Sequence, residues 1–279
     1  MGAVHGVYLK YVGLSALSFM GYSYFGGTLT GETPTEAGSA ALKMGMGAAV
    51  PLWQTVGKGI LGYSAIVNGT IAVLFRLEMG MGILGKNRET GQIPWWSYAI
   101  FFPFHLPTLL YTHIHTRHSS MKVTKPSGET TKVPVPVASE VRPGWWVGGW
   151  YANELNKEWA GVIDLTVEFP ERCINSTKAY QSLPTWDGVP ANPEQLEQAA
   201  TFAVEARKKG DVLIHCAHGR GRSTTVMCAA MVKAGMYPNW EEALLKGIKP
   251  GRPVCKLNSL MRKSLSEWQA EYIDGKKAQ

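Results

Sequence analysis

The sequence predicts a layered α/β domain preceded by a hydrophobic helical region. Three observations carry this reading. From Glu140 onward, short apolar runs alternate with amphipathic helical periods, the pattern of strands joined by helices. Charge is unevenly shared: residues 1–138 hold 10 Lys/Arg and 5 Asp/Glu, whereas residues 139–279 hold 18 and 16. The first half also contains three long stretches without Lys, Arg, Asp or Glu. A chain of 279 residues is long enough to bury a core without covalent staples.

Taken in order, Tyr11–Gly31 supplies 21 such residues, Gly59–Phe75 supplies 17 before Arg76, and Gln92–Ile114 supplies 23. A bilayer core is crossed by about 20 mostly apolar residues. Residues 1–115 therefore read as a membrane region with up to three spans, at about 11–31, 59–75 and 92–114. The third is the strongest candidate, with Trp95 and Trp96 at one end and Tyr111 and histidines at the other. Pro94, Pro103 and Pro107 weaken it as a straight helix, although a bundle tolerates such breaks. The small residues of "MGMGAAV" and "GYSAIVNGTIAV" permit close helix packing in lipid. Residues 116–138 are polar, basic and Pro-containing, which predicts an extended linker before a folded domain at 139–279. His113, His115 and His118 read as solvated interfacial histidines, because no fourth ligand follows at zinc-site spacing. Neither a secretory leader nor myristoylation is expected: no basic run precedes a cleavage site, and Gly6 stands where the acylation pattern needs Ser or Thr.

In the second half "GWWVGGW" and "GVIDLTVE" read as strands, and "VLIHC" as a continuously buried one. Asn192 caps a helix whose first turn holds Pro193 and Glu194, and Gly210 marks its exit. Further helices are expected from about Ser223, over "WEEALLKGI", and over "LNSLMRKSLSEWQAEYI". Cys173, Cys216, Cys228 and Cys255 lie far apart with no CxxC pair, the usage of reduced thiols in a cytosol-like compartment. The net charge of +7 suits a membrane surface or an anionic substrate, and no basic stripe interleaved with aromatics suggests nucleic acid.

Chemistry concentrates in "VLIHCAHGRGRST", Val212–Thr224. A turn between strand and helix points successive backbone N–H groups into one concavity, and the helix dipole adds positive potential. Gly219 and Gly221 permit the turn and a close approach of main chain to an oxyanion. Arg222 offers a planar fork for two phosphoryl oxygens. The field that binds a dianion also favours a thiolate at Cys216, a good nucleophile towards phosphorus. Ser223 stands ready to stabilise the departing thiolate, and His215 to orient the loop. Ala217, His218, Gly219, Arg220 and Gly221 complete the bowl.

This His-Cys-x5-Arg-Ser pattern resembles the signature of the cysteine-dependent phosphatases, and residues from about 140 to 273 resemble their dual-specificity branch. The resemblance implies a central mixed, mainly parallel sheet flanked by helices, and a phosphocysteine mechanism needing neither cofactor nor metal. It also implies a general acid from an upstream loop, and Asp187 in "LPTWDGVPANPEQL", 29 residues before Cys216, matches by spacing and setting. By the same resemblance "VRPGWWVGGWY" is an opening strand, and Arg252 and Asn258 in "KPGRPVCKLN" support the loop. Arg220 matches a basic position of lipid phosphatases of the phosphatase and tensin homologue group, and the mitochondrial phosphatidylglycerophosphate phosphatases have a related loop.

The expected activity is hydrolysis of phosphate monoesters, with dual-specificity protein phosphatase action at a membrane. The alternatives are a phospholipid phosphatase and a catalytically weak phosphate-binding module. A third fold with Cys-x5-Arg, rhodanese-like or arsenate-reducing, is disfavoured by the acid loop and helix pattern. Expected partners are a phosphoprotein or phospholipid and a membrane. A reactive thiolate places the domain on the reducing, cytosolic side.

Overall fold

The computed structural model describes residues 4–25, 51–124 and 128–275. The chain divides into two compact units, one of Tyr8–Leu77 and one of Met1–Val7 with Glu78–Gln279.

The smaller unit contains most of helix α1 (Val4–Phe25) and all of α2 (Leu52–Arg76). They pack through small residues: a Cβ on Gly21 would meet Leu61 at 3.1 Å, and one on Gly62 would meet Tyr22 at 3.1 Å. Ser15 Oγ donates to the Ala65 carbonyl at 2.7 Å, and the Tyr11 and Phe75 rings meet at a tilt with centroids 5.6 Å apart. Among the described residues, α2 is the one helix long and apolar enough to cross a membrane. The first expected span is helical as far as Phe25, and residues 26–31 lie outside the described residues.

The expected third span is not one helix. Residues 92–114 divide between α3 (Trp95–Ile100) and the start of α4 (Phe102–His118), broken at Phe101 beside Pro103. Their inner side chains are covered by the larger unit rather than left for lipid. Ser97, Phe104, His105 and Thr112 are buried, and Phe104 meets the edge of Trp186 with centroids 6.0 Å apart. Residues 116–138 are no extended linker either. They end α4 and form an antiparallel hairpin of β1 (Ser120–Thr124) and β2 (Thr130–Pro134), in register Ser120 to Pro134. The Thr and Val of these strands favour pleated backbone, a preference hidden by a polar composition. The domain that carries the site thus reaches back past residue 139 to Glu78.

Its sheet has five strands in the order β3-β4-β7-β5-β6. β3 (Ala138–Arg142) and β4 (Trp145–Gly148) form an antiparallel pair, turned at Gly144 with φ 78°. β4, β7 (Val212–His215), β5 (Gly161–Thr166) and β6 (Tyr180–Thr185) pair in parallel, so the sheet is mixed and mainly parallel. β5 and β7 are buried along their whole length, as central strands of a covered sheet must be.

Helix α5 (Pro193–Arg207) starts in a capping box, Asn192 Oδ1 accepting from Gln195 N–H at 2.8 Å and Gln195 Oε1 from Asn192 N–H at 3.0 Å. Its stripe of Leu196, Ala199, Ala200 and Ala203 packs with Val226, Met227 and Ala230 of α6 (Arg222–Lys233) and with Ile163 and Ile214 of the sheet. Each fully buried Leu, Ile or Met there contributes about 1.5–3 kcal/mol. The short α7 (Trp240–Glu242) and a π-helical turn, Ala243–Ile248, follow. Helix α8 (Ser259–Gln269), capped by Asn258, closes the core with Leu265 and Trp268.

Candidate active site

The loop from β7 to α6 brings the predicted residues together at the carboxyl end of the central strand. Cys216 Sγ lies 3.4 Å from Ser223 Oγ and accepts the Gly219 N–H at 3.3 Å. Gly219 has φ +65°, and a Cβ there would lie 2.5 Å from the Gly148 carbonyl carbon, so the turn needs glycine on both counts. Burial alone would raise the Cys216 thiol. The Arg222 charge, Ser223 hydroxyl and loop N–H groups outweigh it and hold the thiol below its ordinary range.

Arg222, the first residue of α6, is fully buried. Its Nη1 donates to the carbonyls of Leu165 at 3.0 Å and Thr185 at 2.5 Å. Glu168 receives Nη1 at 3.1 Å and Nη2 at 2.6 Å, a paired contact that fixes the guanidinium plane. Nε is buried with no protein partner among the described residues, leaving a donor for an incoming oxygen. Burial would lower the Arg222 pKa, but Glu168, then Asp187 and Cys216, push it upward.

Asp187 follows β6, two-fifths exposed, with Oδ1 3.6 Å from Arg222 Nη2. Its loop is held from behind, because Asn258 Nδ2 donates to the Gly188 carbonyl at 2.7 Å. Arg252 supports the catalytic loop directly: Nε donates to the Gly219 carbonyl at 2.8 Å and Nη2 to that of His218 at 3.2 Å. Its Nη1 reaches Pro136 O and Ser139 Oγ, both at 2.9 Å.

The variable loop positions are placed less uniformly. Ala217 is buried with Trp150, Tyr151 and Phe169 rather than lining the bowl. His218 is half-buried, its ring 4.8 Å from that of His115 and 5.9 Å from that of Tyr111. Burial, then the charges of His115, Arg220 and Arg222, lower its pKa to about 3, so the ring is neutral. Arg220 donates from Nη2 to Ser119 Oγ at 2.9 Å. A cleft of about 680 Å³ is lined by Tyr111, His115, Asp187, Cys216, Arg220 and Lys256. His115, half-buried, is therefore part of a wall beside the loop rather than a solvated histidine, whereas His113 and His118 are exposed, His113 bonded to the Tyr151 hydroxyl at 3.0 Å.

Sequence reasoning missed Glu168, Glu171 and Lys86. Glu168 and Glu171 lie just past β5 in "VEFPERC", where acids at a strand exit read as ordinary loop polarity. His215 Nε2 is 2.6 Å from Glu171 Oε2. Asp164, Glu171 and His215 place one ligand atom each within 4.8 Å of one another, and Lys86 Nζ bonds Asp164.

No protein-family model matches the chain, and no curated protein does. About half of the chain is similar to solved phosphatase structures. Human DUSP28 is 19% identical, over 49% of this chain and 99% of its own, with a TM-score of 0.44. Tk-PTP in its active form is 24% identical, over 50% and 99%, with a TM-score of 0.42. PTPMT1 in complex with PI(5)P is 18% identical, over 49% and 96%, with a TM-score of 0.41. The chemistry of this chain rests on its own loop.

Proposed function

We propose that this chain is a phosphoric monoester hydrolase acting through a phosphocysteine. The observation that carries the reading is Cys216, its thiol drawn below its ordinary range by Arg222, Ser223 and loop N–H groups, beside an Arg222 whose Nε is unspent. In the first step Cys216 Sγ attacks phosphorus and the bond to the ester oxygen breaks. Arg222 Nε and the loop N–H groups receive the phosphoryl oxygens. Asp187 gives its proton to the departing oxygen. In the second step Asp187 takes a proton from water, whose oxygen attacks phosphorus. The S–P bond breaks, inorganic phosphate leaves, and Ser223 Oγ donates to the released thiolate.

The substrate reading is dual-specificity action on phosphoprotein at a membrane, supported by the apolar helix Leu52–Arg76 in the same chain. A phospholipid is the second reading, supported by Arg220 and Lys256 in the wall of the cleft. Replacing Cys216 by Ser is expected to abolish hydrolysis of a small aryl phosphate, and retained turnover refutes the phosphocysteine. A panel of phosphopeptides, phosphoinositides and phosphatidylglycerophosphate, given to the full chain, separates the two substrates.

A further inference from the structure

A closed group of charges lies one residue upstream of Cys216. His215 Nε2 is 2.6 Å from Glu171 Oε2 and 3.9 Å from Asp164 Oδ1. Asp164 accepts from Lys86 Nζ, from the Tyr180 hydroxyl at 3.1 Å, and from Thr166 N–H and Oγ1–H at 2.8 and 2.7 Å. Lys86 Nζ directs its other donors to Thr166 O at 2.7 Å and Thr166 Oγ1 at 3.0 Å. The side chains of Lys86, Asp164, Glu171 and His215 are all 2% exposed or less, so no solvent screens them.

The charge count is decisive in such a site. With Lys86 present, two carboxylates face one ammonium and one imidazolium, and the group is neutral. Without it, the same carboxylates face one imidazolium. A net negative charge then stands against the residue that precedes the thiolate, and negative charge opposes thiolate formation. Arg222 is the main charge favouring ionisation of Cys216, Arg252 from the segment before α8 adds to it, and Cys255, its own thiol raised by burial, opposes it. Cys173 and Tyr180 complete the surroundings of the buried carboxylates, and burial and those carboxylates raise both far above their ordinary ranges, so neither adds charge at neutral pH.

We propose that Lys86, delivered by a segment 78 residues ahead of its partner Asp164, is a positioning residue that keeps the buried charge group behind the catalytic loop neutral and so favours ionisation of Cys216. It rests on the reading of Cys216 as nucleophile, yet its test does not require turnover.

The test is the pH dependence of Cys216 alkylation by iodoacetamide in the full chain, read by mass spectrometry of the Cys216 peptide. Beside it stands the acid limb of kcat/KM for an aryl phosphate. Lys86→Met is expected to move both midpoints upward by about half a pH unit or more. Adding Asp164→Asn restores neutrality and is expected to return the midpoints towards those of the unaltered chain. A tie that merely holds strands together would lower the melting temperature and leave the midpoints in place; that result overturns the proposal. Should Lys86→Met fail to fold, Lys86→Gln, which keeps a buried donor, carries the same measurement. Hydrolysis surviving in Cys216→Ser refutes the phosphocysteine alone, and an unmoved alkylation midpoint refutes the role of Lys86 alone.

Discussion

Asp187, beside Arg222, and His215, beside Glu171, respond differently to substitution. Asp187 touches the reaction only through the leaving oxygen, so Asp187→Ala should cost most where that oxygen is a poor leaving group. An alkyl phosphate is expected to lose about 100-fold or more in kcat, and p-nitrophenyl phosphate distinctly less. Equal losses on both would show that Asp187 is not the acid. His215 bears on stability. Burial disfavours its charged ring, but Glu171 and Asp164 outweigh that and raise its pKa from 6.5 to about 9. A raised pKa means stability fully present below about pH 6.5 and lost as pH rises through about 9, on the order of 3 kcal/mol in all. Cys216 opposes this, since its depressed pKa yields stability that is lost as pH falls. Denaturant titrations in a Cys216→Ser background remove that opposing contribution, and below about pH 8 the raised thiols of Cys173, Cys228 and Cys255 add little. Stability that stays flat between pH 6.5 and 9 would show the ring to be neutral in the fold.

At the scale of elements, the loop from β7 to α6 was legible in the sequence because its chemistry is local. A strand, a cysteine, two glycines, an arginine and a helix start lie within thirteen residues, Val212–Thr224. The strand β6 ahead of Asp187 was not legible, because "YQSLPT" carries a proline and little apolar alternation. Its parallel pairing with β5 supplies what the local pattern lacks. The Gln92–Ile114 stretch misled for the opposite reason: an apolar run reads alike whether lipid or a protein core will cover it. Glu168 was invisible for want of context, since only the fold brings it to Arg222, 54 positions away. The approach to the buried charges has its own weak point at Gly91. Its φ is +67°, and a Cβ there would lie 2.4 Å from Glu171 Cβ and 2.6 Å from the Tyr180 hydroxyl. Gly91→Ala should destabilise the chain by about 1–3 kcal/mol and displace Glu171 from His215. A melting temperature equal to that of the unaltered chain would contradict this close approach.

For the whole molecule, the boundary that composition suggested at residue 139 cuts through a folded body. A fragment of residues 139–279 would lose Lys86 from Asp164, the Met79 carbonyl from Trp186 Nε1 (2.7 Å) and the Gly91 carbonyl from the Glu171 N–H (2.9 Å). Removing one member of a buried ion pair alone costs about 3–5 kcal/mol, comparable to the whole margin of a modest domain. Residues 139–279 should therefore fail to show a cooperative melt, whereas residues 78–279 should show one. Equal melting curves by circular dichroism would refute the extended boundary.

The same Lys86 contact bears on the order of events during synthesis. The ammonium leaves the ribosome well before Asp164, and Cys216 follows 52 residues after that. Contacts of such sequence separation close late, because the loop between them must first be brought together. A newly made chain is thus expected to carry Cys216 less reactive than in the finished fold until the 78–94 segment docks. The last increment of nucleophilic reactivity then arrives late in folding, and its appearance in a refolding time course would serve as a chemical clock for that docking.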